Sequence, residues 1–183
     1  MSKNRIKKFE SKIRLKELDP YETLRDIGLK KDQVFCDIGA GTGIFAFAAS
    51  GITSNRIYAV EISDEMIELL SKRKEEGKVH QLKIIKGDHD SLPIESNSVD
   101  IVLLSTVFHE LETPIEMLRE IKRIKKAEGL LAIVEFHKKE TPMGPPVNHR
   151  LSKKELEKIC TNNAFEEVDN KNLGENFYLS IFK

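Results

Sequence analysis

Three carboxylates, Asp37, Glu61 and Asp88, and a group of glycines are the residues whose types and spacing could do chemistry. The glycines are Gly39, Gly41 and Gly43, in the run Asp37-Ile38-Gly39-Ala40-Gly41-Thr42-Gly43. Glycine serves where a backbone turns tightly or lets a ligand approach closely. The amides that open the following helix suit polar or anionic groups. Dinucleotide-binding turns read G-x-G-x-x-G, and here Ile44 stands where the third glycine would be. Asp37 precedes the turn. Its carboxylate repels a pyrophosphate but suits an amine. Glu61 closes the next predicted strand, where a carboxylate accepts from both hydroxyls of a ribose. Asp88 follows the third strand, within reach of an adenine amino group, and Ile62 and Leu92 are placed to cover the two faces of the ring.

Three histidines are candidates for proton transfer. His89, His109 and His137 each follow a predicted strand at its carboxyl end. His109, in Val107-Phe108-His109-Glu110-Leu111, is the first choice as general base, with pocket lining as its plainer role. His80 and His149 read as surface or loop residues. No short His/Glu ligand spacing supports a metal, so none is expected. Phe108, Phe136, Met143 and Pro145 are candidates for an apolar acceptor wall.

These residues need elements to gather them. Short apolar runs at 34–38, 56–61, 81–86, 99–105 and 130–136 alternate with helical patterns, which predicts a mostly parallel sheet. Thr113-Pro114-Ile115-Glu116 and Ser152-Lys153-Lys154-Glu155 read as capping boxes and open helices to about Lys126 and Asn162. Two further strands, 166–169 and 177–182, read as an antiparallel hairpin turning at Leu173-Gly174-Glu175. Ligands of such sheets bind outside the carboxyl ends of the strands. The expected gathering points are 37–43, 61–63, 87–92, 105–110 and 135–146. The Met143-Gly144-Pro145-Pro146 loop is a candidate lid.

The chain has 183 residues, enough for one domain with one core: an α/β core over 32–183 behind a helical preface over 1–31 that is a possible lid. Formal net charge is zero, so the overall field offers nucleic acid nothing, and no nucleic-acid partner is expected. The exception is the basic run from Lys3 to Lys16, read as a solvated helix face. Cys36 and Cys160 lie on predicted buried faces as packing residues, consistent with a cytoplasmic location. No apolar run is long enough for a membrane span.

Three blocks, VFCDIGAGTG, YAVEISDEMI and GDHDSLPIESNSVDIVLLSTVFHEL, with GLLAIVEF as weaker support, resemble class I S-adenosylmethionine-dependent methyltransferases. The resemblance covers roughly residues 20–183 and is strongest to the quinone-biosynthesis C-methyltransferase group. It implies a Rossmann-like, seven-stranded, mostly parallel sheet of order 3-2-1-4-5-7-6 with the last strand antiparallel and helices on both faces. It also implies that Asp37, Gly39 and Gly41 hold the methionine part of S-adenosylmethionine, and Ala40, Gly43 and Ser105 are further cofactor-binding candidates. Glu61 would take the ribose, and Asp88 with His89 the adenine, with Ile62 a further candidate contact at the ring. A small-molecule acceptor follows, because the chain has little room for elements that grip a large one. Two other readings stay open: a non-catalytic nucleoside-binding module and a dinucleotide-dependent oxidoreductase.

Overall fold

The computed structural model describes residues 3–88 and 91–183. Three short helices come first: α1 (Lys3–Phe9), α2 (Lys12–Leu18) and α3 (Pro20–Ile27). Asp19 ends α2 and caps α3, its side chain accepting from the Glu22 amide, and Pro20 supplies the fixed φ of a first helical position. The core then alternates β1 (Phe35–Ile38), α4 (Ile44–Ala49), β2 (Ile57–Glu61), α5 (Asp64–Gly77), β3 (Leu82–Lys86) and β4 (Val99–Ser105). It continues with α6 (Pro114–Ile124), β5 (Lys125–Phe136), α7 (Lys153–Asn162), β6 (Glu167–Leu173) and β7 (Phe177–Phe182). The strands form one sheet of order β3-β2-β1-β4-β5-β7-β6, with β7 antiparallel to both its neighbours. This is the expected Rossmann-like topology.

The sheet is covered on both sides, and the strand sequences show how. Along β1, β2, β4 and β5 alternate residues belong to two separate apolar clusters. Phe35, Ala59, Leu103 and Val134 pack with Leu24, Ile27, Phe45 and Leu70 of α3, α4 and α5. Cys36, Val60, Leu104 and Ile133 pack with Leu118, Ile121, Leu156 and Cys160 of α6 and α7. Residues of period two on a doubly covered strand must be apolar on both faces, which is why these strands read as continuous apolar runs. Both cysteines are buried and free, as packing residues should be. Among the described residues no helix is long and apolar enough to cross a membrane.

Two boundaries differ from the sequence reading. The sixth helix stops at Ile124 and passes straight into β5, which starts at Lys125 rather than Leu130. The polar residues 125–129 are held against the start of β4: Lys126 Nζ donates to both carboxylate oxygens of Asp100 at 2.9 Å, and the Ala127 amide donates to Asn97 at 3.2 Å. The pairing shifts between Val99 and Ile101 to absorb the extra residues. Likewise β6 extends to Leu173, and the turn occupies 174–176. Edge position tolerates its polar composition, because only one side of that strand is paired. The Ser152/Glu155 capping box is present in full.

Candidate functional site

The carboxyl ends of β1, β2 and β4 open into one cavity of about 340 Å³. Asp37, Gly39, Ala40, Gly41, Thr42, Glu61, Ile62, Ser63, Ser105, Thr106 and Val107 line it from the sheet side. Phe9 and Arg14, from the helical preface, complete it from the other. The turn after β1 is shaped by its glycines. Gly39 has φ +70°, and a Cβ there would come within 2.5 Å of the Val107 side chain. Only glycine lets the end of β1 and the segment after β4 close on each other.

Glu61 is buried at the floor and organises the turn. Its Oε2 accepts from the Gly41 amide at 2.7 Å, and its Oε1 accepts from the Ile62 and Ser63 amides at 2.9 Å. Three backbone donors hold the carboxylate in one orientation and leave one acceptor position, on Oε2, for a ligand. Asp37 is also buried, and burial pushes its carboxyl up to about 7; the nearby charge of Glu61 adds to this against a hydrogen bond from the Ala46 amide. Two carboxyl groups in one low-dielectric cavity favour a cationic ligand beside Asp37.

Arg14 provides the opposite charge. It comes from α2 and is 9% exposed. Its guanidinium donates to Thr106 Oγ1 at 2.7 Å and lies 5.2 Å from the centre of the Phe177 ring and 5.8 Å from that of Phe136. Burial lowers its pKa to about 10, against the charges of Glu135 and Glu110, so it remains a cation near neutrality. Two buried polar atoms of this site have no hydrogen-bond partner: Arg14 Nε and Ser105 Oγ. A buried donor or hydroxyl left unpaired is costly, so a site with two of them has capacity to pair a polar ligand.

The other expected residues fall in different places. Gly43 does not line the cavity. A Cβ there would meet Leu70 at 2.6 Å and Phe47 at 2.7 Å, so it seats α4 against α5 and serves packing. Asp88 is exposed beyond the end of β3, outside the cavity wall. His89 lies outside the described residues. His137 turns away from the cleft, its ring 5.6 Å from that of Tyr178. Phe108 and Phe136 are buried in the two apolar clusters on opposite faces of the sheet, so neither forms an open wall.

His109 lies in a short 3-10 turn over 108–110 and lines a second, more open pocket with Glu110, Pro145, Asn148 and His149. The two pockets share Glu110. Its Nδ1 is 2.7 Å from Oε2 of Glu135, which is fully buried, while Glu135 Oε1 accepts from the His109 amide at 3.1 Å. Burial alone would lower the imidazole pKa, but the Glu135 hydrogen bond and the charges of Glu135 and Glu110 outweigh it and raise it. No group of three or more His, Cys, Asp or Glu suited to a metal occurs among the described residues.

Arg14 and Glu135 are the residues that sequence reasoning passed over. Arg14 sits in a basic run read as solvated, yet it stands one helical turn before the apolar Leu18, on the buried side of α2. Glu135 is a carboxylate in the otherwise apolar run Leu130–Phe136, a position that needs a specific partner.

Comparisons with known proteins agree with this geometry. The methyltransferase domain family matches residues 36–133. The uncharacterized methyltransferase YcgJ of Bacillus subtilis (strain 168) is 32% identical over 114 residues, 62% of this chain and 45% of that protein. The demethylmenaquinone methyltransferase of Staphylococcus aureus (strain MRSA252) is 24% identical over 122 residues, 66% of this chain and 50% of that protein. The chain thus spans about half the length of these curated relatives. A crystal structure of a SAM-dependent methyltransferase from Aquifex aeolicus superposes with a TM-score of 0.92 at 26% identity, covering 98% of this chain and 96% of that one. With its glycine turn, its buried acidic pair and a family match over more than half its length, the chain belongs to the methyltransferase domain family.

Proposed function

We propose that this protein transfers a methyl group from S-adenosylmethionine to a small-molecule acceptor. The observation that carries the reading is the charge pattern of the 340 Å³ cavity: two buried acidic residues on its sheet side and a buried guanidinium across from them. An amino-acid tail on a nucleoside matches that pattern group by group. Asp37 faces the ammonium and sulfonium end. Arg14 Nε and Ser105 Oγ, both unpartnered, pair the carboxylate end. Glu61 accepts from a ribose hydroxyl at the one position its amide donors leave, with Ile62 against the base. Asp88 takes the outer, adenine edge.

When bound, the donor supplies a methyl group already activated by its sulfonium. The residues of the chain then have three tasks. They fix the donor's tail between opposite charges, they keep water from the cleft through Phe9 and Val107, and they align an acceptor along the line of transfer. The helical preface contributes directly, since Phe9 and Arg14 close the cavity. The preface and the 32–183 core therefore act as one domain. Lys7, Lys8, Lys12 and Lys16 remain a solvated face, and no nucleic acid takes part. The free, buried cysteines fit a reducing cytoplasm.

The test is a transfer assay with methyl-labelled donor and a panel of small phenols, amines, thiols and carboxylic acids. Labelled product from at least one of them is the expected result. Firm donor binding with no transfer to any acceptor points instead to a nucleoside-binding module without catalysis.

A further inference from the structure

His109 and Glu135 form a buried pair, and His109 lines a pocket that shares Glu110 with the larger cavity. Glu135 is 0% exposed, and its carboxylate is engaged from three sides. It faces His109 Nδ1 at 2.7 Å and accepts from the backbone amides of His109 at 3.1 Å and Phe136 at 3.3 Å. The His109 side chain is 5% exposed. A carboxylate so enclosed, facing Nδ1 at that distance, holds the ring proton there. Its other nitrogen, Nε2, lies 3.7 Å from Glu110 Oε1, and both residues line a pocket with Pro145, Asn148 and His149.

A neutral imidazole free in water favours no such arrangement. Here the buried carboxylate selects the tautomer with the proton on Nδ1 and leaves Nε2 as an acceptor. The charged groups around the ring are Glu135 on β5, Glu110 in the same 3-10 turn, Arg150 ahead of α7 and, beyond Glu135, Arg14 on α2. His149 lines the far side of the pocket. The two carboxylates nearest the ring favour the imidazolium once it forms, and Arg150 opposes them.

We propose that Glu135 is a positioning residue that sets His109 as the general base of an acceptor pocket bounded by His109, Glu110, Pro145, Asn148 and His149, and that this pocket takes a neutral acceptor bearing an acidic hydroxyl of phenol or enol type. This rests on the methyl-transfer reading above and names its acceptor class. The proton step balances simply. The acceptor's O–H bond breaks, its proton passes to Nε2, and the electron pair stays on oxygen as the nucleophile. The Nδ1 proton stays on the ring, facing the Glu135 carboxylate, so an imidazolium–carboxylate pair results. A hydroxyl of this acidity is matched to imidazole, whereas an aliphatic alcohol is far too weak an acid. Pro145 and Asn148 add one apolar and one polar side chain to the lining of the same pocket.

The test uses the full chain with ¹⁵N-labelled histidine and needs no turnover. Imidazole NMR of the wild type should show the neutral His109 ring protonated at Nδ1, with a titration midpoint above that of a free histidine. Glu135→Gln keeps the shape and removes the charge, and it should move the midpoint down by about one pH unit or more. Glu135→Asp should restore part of the shift, which loss of packing alone would not do. With S-adenosylhomocysteine present, phenol as probe should perturb Nε2 and the His149 ring, while anisole, which lacks the O–H, should not. A wild-type ring protonated at Nε2, an unmoved midpoint in Glu135→Gln, or equal responses to phenol and anisole each overturn the proposal. The wild-type tautomer stands even if a variant fails to fold. Calorimetry with S-adenosylhomocysteine separates the two claims: no binding to the wild type removes the donor reading while leaving the tautomer result intact.

Discussion

At the scale of single residues, the cavity at the carboxyl ends of β1, β2 and β4 is marked by two buried carboxyl groups with different surroundings. Glu61 has three amide donors, and Asp37 has a raised pKa of about 7. In an unfolded chain Asp37 would ionise near pH 4. Its folded value is higher, so its contribution to stability is fully present below about pH 4 and is lost as pH rises towards 7. A cationic ligand needs the ionised form. Binding of the demethylated donor at pH 6 should therefore release a proton, and affinity should climb from about pH 5.5 to about 8 before levelling. Calorimetry in buffers of different ionisation enthalpy reads the proton directly, and Asp37→Asn should abolish both effects. A pH-independent affinity with no proton release would mean that Asp37 does not face the ammonium. Glu61→Ala should weaken donor binding by about 1–3 kcal/mol, the cost of leaving buried polar groups unpaired. Unchanged affinity would show that the ribose is held elsewhere. Glu61 and Asp37 are legible in the sequence because their positions follow from a local motif, the end of a strand and the edge of a glycine turn. Arg14 and Glu135 are not, because each gains its meaning from partners distant in the chain, Thr106 for the first and His109 for the second. Gly43 reads as a ligand contact because the motif that contains it cannot distinguish a glycine facing a ligand from one facing a neighbouring helix.

At the scale of elements, two attachments decide how the cleft is closed. The preface is held by polar contacts as well as by its apolar side. Arg73 of α5 bonds Glu10 at 2.5 Å and the Thr42 carbonyl at 2.8 Å. Glu17 accepts from the Asn176 amide at 3.0 Å, and Asp26 pairs with Lys171. Arg73 thus joins the preface to the glycine turn itself. The loop after β5 is held differently. Arg150, 4% exposed, donates to the carbonyls of His137, Lys139, Met143 and Pro145 and to Thr141 Oγ1. One guanidinium thereby replaces the regular structure that this proline-rich segment lacks. Arg150→Met should cost about 1–3 kcal/mol in unfolding free energy and speed proteolytic cutting between 139 and 146. Equal melting temperature and equal cutting would show that the loop holds itself. The proline and glycine content marks this loop as a candidate lid, but its anchor is a side chain whose type alone gives no hint of five acceptors. The early start of β5 is hidden for a related reason. Residues 125–129 lack an apolar run, and pairing of Lys125 with Val99 together with the Asp100 and Asn97 side chains makes them part of a strand.

At the scale of the whole molecule, the sheet order follows from sequence because the strands carry their own instructions. Runs apolar on both faces require cover on both sides, right-handed crossovers supply it, and the closing hairpin inserts β7 between β5 and β6. The site then lies where such sheets bind ligands, at the carboxyl ends of β1, β2 and β4. What the topology leaves open is which ligand the turn accepts, and the proposed donor is the one that matches the buried charges, acid on the sheet side and a guanidinium on the preface side. The most direct measurement is calorimetric titration of the wild-type protein with S-adenosylmethionine, S-adenosylhomocysteine and NAD. The account predicts saturable binding of the first two, weakened by Glu61→Ala, and none of NAD. Binding of NAD without either of the others would contradict it.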